Sequence, residues 1–207
     1  MIRALIASVL PILVLSTTPV PRKPPGFVYQ YGNVSDVPVH LDVFMGPLCP
    51  DSARAFPTML QVADHFGPNK LRLRLHTFPL PYHRNAFLVC MGTHSSHAMK
   101  PKSMVYTWMQ AVYNNLATFM DKTLTEDTVV TKMSQLADSA MNITSHVFES
   151  KVVKSSINYD CRVEFKHGCS RGVTSTPTFM INDVIVGGDE MASQTADEWI
   201  KYIQQLV

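Results

Sequence analysis

Hydrophobic and polar positions along the chain mark out a small number of elements. Valine and leucine alternate with polar residues in VPVHLDVFM, which predicts a strand over Val39–Met45, closed by Pro47. From Pro50 to Phe66 the period lengthens to that of a helix, with Ala53, Phe56, Leu60 and Ala63 spaced for one buried face. Pro57 falls inside this helix and predicts a kink, and Gly67-Pro68 ends it. LRLRLHTF, residues 71–78, returns to period two, with Leu71, Leu73 and Leu75 on one face and Arg72 and Arg74 on the other. A long helical stretch follows from about Arg84 to His167, with breaks near Met99-Lys100-Pro101 and around 121–125. TFMINDVIV, residues 178–186, reads as a hairpin turning at Asn182-Asp183, and Gly187-Gly188 stops it. A last helix over Ala196–Leu206 directs Trp199, Ile203 and Leu206 inward. A right-handed crossover makes the first two strands parallel, and the hairpin adds antiparallel edges. The expected architecture is a mixed sheet with helices on both faces.

Composition narrows the function more than the fold. The 207 residues are 46% hydrophobic and 16% charged, enough for a substantial core in one domain with an insertion. A net charge of +2, with no basic run longer than Arg22-Lys23, gives no argument for nucleic acid or an anionic membrane surface. Residues 1–18 carry an early Arg and an apolar run from Ala4 to Leu15, which has the proportions of a secretory signal peptide. An uncleaved signal-anchor is the alternative, and no second long apolar run follows it. Asn33-Val34-Ser35 and Asn142-Ile143-Thr144 are glycosylation sequons that agree with a secreted or lumenal protein.

The chemistry centres on Cys49-Pro50-Asp51-Ser52. With Cys49 as N-cap, Pro50 falls at the first helical position, where a missing amide hydrogen costs nothing. Asp51 and Ser52 then offer free backbone amides toward the cap, which favours a Cys49 thiolate, while the carboxylate of Asp51 opposes it. Ser52 can donate its hydroxyl to a thiolate, yet it cannot attack a mixed disulfide. A single sulfur can therefore exchange disulfides but needs an outside thiol, such as glutathione or a substrate cysteine, for release. A structural cysteine at a helix start is the plainer alternative.

In GVTSTPTFMIN, residues 172–182, Thr176-Pro177 stands directly before a strand. Together with Cys49-Pro50-Asp51-Ser52, the segment FPLPYHRNAF at 78–87, Gly187-Gly188 and the terminal helix, this resembles the DsbA-like branch of the thioredoxin superfamily over roughly residues 37–206. The resemblance implies an α/β thioredoxin-like mixed sheet with an inserted helical domain. Residues 37–83 and 170–207 would form the thioredoxin-like domain and 84–169 the insertion, after a proline-rich segment at 19–36. Cys49 would be the attacking cysteine, with Ser52 in place of the resolving one. Pro177 would be cis, and Pro50, Thr176 and Pro177 would face an extended substrate chain. Asp42 becomes a candidate proton relay beneath the sulfur, with a salt bridge as its alternative role.

The activity so implied is that of a thiol-disulfide oxidoreductase or isomerase acting on extended polypeptides or small thiols. The alternatives are a redox-inactive binding or chaperone-like protein, and a glutathione-dependent transferase or peroxidase. Kappa-class glutathione transferases carry serine at the attacking position, whereas Cys49 retains sulfur there. No bound cofactor is expected, with glutathione entering only as co-substrate.

Cys90, Cys161 and Cys169 remain. In one uninterrupted helix, Cys161 and Cys169 stand about 12 Å apart, beyond the roughly 7 Å reach of a disulfide. Cys90 with Cys161 or with Cys169 needs no break, and the spare cysteine is either buried or a distant resolving thiol for Cys49. Histidines at 76, 83, 94, 97, 146 and 167 include an i,i+3 pair in His94-Ser95-Ser96-His97, but no third ligand is evident beside it and no metal is assigned. Methionines and aromatics of residues 104–120 recur at helical spacing as core, with the excess available to line a peptide groove.

Overall fold

The computed structural model describes residues 21, 23–31, 36–99, 104–187 and 189–207. The expected leader at 1–18, the sequon asparagine Asn33 and the glycine Gly188 lie outside the described residues. Five strands, β1 (Phe27–Val28), β2 (Val39–Met45), β3 (Leu71–Thr77), β4 (Thr178–Ile181) and β5 (Val184–Ile185), form one sheet in the order β1-β3-β2-β4-β5. β2 and β3 are parallel, with Val39 opposite Leu71, and are joined across one face by helix α1 (Pro50–Phe66). β4 runs antiparallel to β2 and β5 antiparallel to β4. The turn between them has φ of +47° at Asn182 and +69° at Asp183, the two left-handed positions that a tight hairpin requires. Asn182 also accepts from His40 N–H at 2.8 Å and donates to Pro38 O at 3.1 Å, tying the turn to the start of β2.

Six helices make up the insertion: α2 (Ala86–Met99), α3 (Met104–Asn114), α4 (Leu116–Met120), α5 (Glu126–Met141), α6 (Ser145–Val152) and α7 (Ser155–Ser170). After the hairpin come α8 (Asp189–Ala192) and α9 (Ala196–Ile203), the latter ending in a 3-10 turn over Gln204–Leu206. The main core runs without interruption from Val39, Leu41 and Val43 of the sheet, through Phe56 and Met59 of α1, to Trp108 and Phe148 of the insertion. Helix α2 is buried around much of its circumference because α3, α5, α6 and α7 surround it. Alternation sends Phe44 and Met180 to the opposite face, where they join Cys49, Phe78, Leu80 and Val173 in a second cluster. A Cβ on Gly168 of α7 would lie 2.6 Å from Phe78 Cδ2, so glycine there lets α7 settle directly on this cluster.

Several expectations need correction. The buried stripe of α1 is Ser52, Ala55, Phe56, Met59, Val62, Ala63 and Phe66, while Ala53 and Leu60 are half-buried. This helix is enclosed on more than one side, by β3, α3 and α9, so its apolar arc is wider than one stripe. Leu206, placed inward from the spacing, is 46% exposed because the chain has tightened into the 3-10 turn. Phe27 and Val28 leave the proline-rich segment to pair with Leu75 and Arg74 as an edge strand. Cys90 and Cys161 are bonded with their α-carbons 6.2 Å apart, while Cys169 is exposed and Cys49 is a buried free thiol.

Candidate functional site

The sulfur of Cys49 stands where a strand end, a helix start and a proline turn converge. Cys49 is the N-cap of α1 with extended backbone (φ −86°, ψ 122°), and Pro50 takes the first helical position as its fixed φ favours. A turn holds the cap, with Cys49 N–H donating to Gly46 O at 3.1 Å and Ala53 N–H to Cys49 O at 3.0 Å. The thiol donates to the carbonyl of Thr176 at 3.2 Å, across 127 positions of sequence. The Thr176-Pro177 peptide is cis and leads directly into β4. Cys49 is 4% exposed, at the edge of the second cluster. The close approach depends on Gly46, where a Cβ would stand 2.7 Å from Thr176 Oγ1 and 2.8 Å from Cys49 Cβ. Thr176 Oγ1 is buried without a hydrogen-bond partner among the described residues.

Ser52 is fully buried and turned away from the protein surface. Its Oγ accepts from Gly46 N–H at 3.1 Å. Tyr113 of α3 donates to Gly46 O at 3.1 Å, with Ser52 beside its phenol. Burial, reinforced by the neighbouring Cys49, pushes the Tyr113 phenol well above its ordinary 10.0, so it stays a neutral donor. Ser52, Gly46 and Tyr113 thus form a buried polar clasp behind the sulfur, and the insertion contributes one of its three members. The sequence places Tyr113 among the aromatics of residues 104–120 that form core or line a groove, and nothing in their spacing distinguishes its phenol from that of Tyr106 as the one that reaches Gly46.

Asp42 faces the α7 side of the sheet. His76 lies between two carboxylates, with Nε2 2.8 Å from Asp42 Oδ1 and Nδ1 2.6 Å from Glu164 Oε1. Arg74 adds an ion pair to Asp42 at 3.7 Å, and Gly26 N–H donates to Glu164 Oε2 at 3.0 Å. Burial disfavours the imidazolium of His76, but the hydrogen bonds it donates to Asp42 and Glu164 outweigh that and raise its pKa above 6.5. Burial likewise works against both carboxylates, and the bonds and charge of His76 hold them below their ordinary values. Phe44 stacks on the His76 ring at 4.4 Å and belongs to the cluster that surrounds Cys49. Among the described residues Asp42 has no hydrogen bond to Cys49 or Ser52.

Two hollows flank the helix start. One of about 620 Å³ opens between Asp51, Arg54 and Thr58 of α1 and the segment 192–194. The other, of about 290 Å³, is lined by Pro79, Leu80, Phe87 and Phe165 with His83 and Arg84 at its polar side. Leu80 and Phe165 connect this second hollow to the cluster holding Cys49. Asn142 of the second sequon is exposed at the left-handed end of α5.

A protein family described as Thioredoxin matches residues 29–205. Solved structures with similar folds include Chlamydia trachomatis DsbA, with a TM-score of 0.69 at 15% identity over 92% of this chain and 96% of that one. Wolbachia pipientis alpha-DsbA1 gives 0.68 at 15% identity over 91% and 92%. Oxidised BdbD from Bacillus subtilis gives 0.65 at 16% identity over 87% and 97%. These likenesses show the architecture, a thioredoxin-like mixed sheet with an inserted helical domain. No curated protein sequence matches the chain.

Proposed function

The chain belongs to the thioredoxin family, and from that premise we propose that it is a monothiol thiol-disulfide exchange protein working through Cys49. The observation that carries this reading is the position of one free sulfur at a helix N-cap, 3.2 Å from the carbonyl that precedes a cis-proline. Thiolate attack on a substrate disulfide forms the Cys49–substrate bond and expels the other substrate sulfur as a thiolate. Release requires a second thiol. If a different substrate cysteine attacks the mixed disulfide, the result is isomerisation with no net change in electrons, whereas return of the expelled sulfur only restores the original bond. Should glutathione attack instead, a second glutathione completes a two-electron reduction and glutathione disulfide is the product. Ser52 cannot take this part, since its oxygen forms no disulfide and is held by Gly46 N–H.

The substrate in this reading is an extended polypeptide laid beside β4, with the Thr176 backbone as its partner and the two flanking hollows taking side chains. We place the protein in the secretory pathway or outside the cell. The apolar leader, the exposed Asn142 sequon and the Cys90–Cys161 bond all agree with an oxidising compartment. Among the described residues, no helix is long and apolar enough to cross a membrane.

A second reading rests on the burial of Cys49: a redox-inactive protein that uses the same groove to bind unfolded chains. A peptide carrying an activated mixed disulfide separates the two. With Cys169 replaced by serine, the native protein should accumulate one adduct at Cys49, which added glutathione then discharges. Absence of the adduct until the protein is unfolded would overturn exchange and leave binding.

A further inference from the structure

We propose that Cys90, His94 and Cys161 form a zinc site in the reduced protein, filled when the Cys90–Cys161 disulfide is open. The sequence offered His94 and His97 without a third ligand. Folding supplies two. Cys90 lies one turn before His94 on the same face of α2, and Cys161 is brought against them by α7. One ligand atom from each residue, the two sulfurs and a ring nitrogen, falls within 4.8 Å of the others. Tetrahedral zinc with bonds of about 2.3 Å to sulfur and about 2.0 Å to nitrogen separates such atoms by roughly 3.5–3.8 Å. Opening the disulfide lets the sulfurs move apart toward that spacing, while α2 and α7 stay packed together.

A second observation points to a ligand independently. His94 is 9% exposed, and its Nε2 is buried without a hydrogen-bond partner among the described residues. An orphaned imidazole nitrogen in a protein interior carries a desolvation cost that metal ligation would remove. Phe27 packs edge-on against the ring at 5.1 Å and restrains its orientation. Two thiolates and an imidazole are a donor set suited to zinc, with water completing the fourth position. The site shares no residue with the exchange centre, so it stands or falls separately from the role of Cys49.

A dithiol supplies two electrons and two protons to the disulfide and is itself oxidised to a disulfide; a phosphine does the same in vitro, taking oxygen from water. Zinc then replaces the two thiol protons, which pass to solvent. Reoxidation by a small-molecule disulfide, which takes up the two electrons with two protons from solvent and leaves as two thiols, re-forms the Cys90–Cys161 bond and expels the metal. The consequence is a reversible clasp, in which α2 and α7 are joined by a covalent bond under oxidising conditions and by a metal under reducing ones.

The test uses the full chain with C49S and C169S, leaving Cys90 and Cys161 as its cysteines. After phosphine reduction and removal of the reductant, cobalt(II) is titrated as the spectroscopic probe, then displaced by zinc. The expected result is one equivalent of cobalt with thiolate charge-transfer absorption, an increase in melting temperature on zinc addition, and no such uptake by the oxidised protein. His94→Gln should weaken zinc binding at least tenfold, while His97→Gln leaves it unchanged. The proposal is overturned if the reduced protein shows no thiolate band, if H94Q binds as tightly as its parent, or if zinc lowers the melting temperature. The last result would mean that metal binds the unfolded thiols, which also covers the case in which reduction loosens the fold.

Discussion

Replacing His76 by glutamine tests the buried charge network directly. Glutamine retains a hydrogen-bonding side chain but cannot carry the positive charge between Asp42 and Glu164. Glu164 is 4% exposed, and its other hydrogen-bond donor is Gly26 N–H at 3.0 Å. Removing one partner of a buried ion pair typically costs about 3–5 kcal/mol, because the remaining charge is left without compensation. Protonation of Glu164 and the surviving Gly26 bond set the expectation at the lower end, about 3 kcal/mol. At about 2–4 °C per kcal/mol for a domain of this size, the melting temperature falls by about 6–12 °C.

The pH profile gives a second, sharper readout. In the parent, the raised His76 pKa contributes stability that is complete below 6.5 and is lost as pH rises through the folded value. The depressed carboxylates contribute stability above their unfolded values of 3.8 and 4.5, lost as pH falls through their folded values. Their joint contribution is therefore greatest between pH 4.5 and 6.5. In H76Q the buried Glu164 must instead be neutral, so its folded pKa rises and the alkaline decline starts near 4.5 rather than 6.5. Urea unfolding across this range, with Arg74 and His167 unchanged, measures both quantities. A loss below about 1 kcal/mol, or an unchanged onset of decline, would refute the assignment of His76 as the network's cation.

Three further outcomes follow from the site and its supports. Replacing both Cys90 and Cys161 by alanine removes a cross-link across 71 positions, and loop entropy sets the destabilisation at about 4 kcal/mol in urea unfolding; a loss under 1 kcal/mol would mean that helix packing alone holds α2 to α7. Gly46→Ala pushes a Cβ into Thr176 and Cys49, costing about 1–3 kcal/mol and slowing adduct formation at Cys49 by tenfold or more in a mass-spectrometric time course. Ser52→Cys should shorten the life of the peptide adduct in the absence of added thiol, as an internal disulfide forms and expels the peptide; a persistent adduct would show that position 52 cannot reach the sulfur.

The parts of this molecule that could be read from sequence are those governed by neighbours along the chain. Alternation located β2 and β3, and Asn182-Asp183 located the hairpin because two successive left-handed residues are a local demand. The N-cap role of Cys49 followed from the proline after it. Contacts decided by how distant segments return were out of reach. Nothing in the spacing of His76 announces Glu164, which arrives 88 positions later. Tyr113 joins the site only because α3 packs against α1, and the choice of Cys161 over Cys169 for Cys90 depends on the facing side of α7. The buried arc of α1 is wider than its spacing predicts for a related reason: periodicity gives the direction of a buried face, whereas its width depends on how many neighbours enclose the helix.

The edge strand β1 imposes an order on assembly. Its pairing partner is β3, its Phe27 carbonyl accepts from Tyr106 Oη at 2.7 Å, and the adjacent Gly26 waits for Glu164, 138 positions downstream. On a ribosome these anchors arrive one after another: β3 offers its edge first, Tyr106 follows, and the carboxylate that fixes Gly26 comes last. The edge strand can therefore pair early, while the bond from Gly26 to Glu164 closes only once α7 has been laid down, so that one contact reports that the insertion is complete.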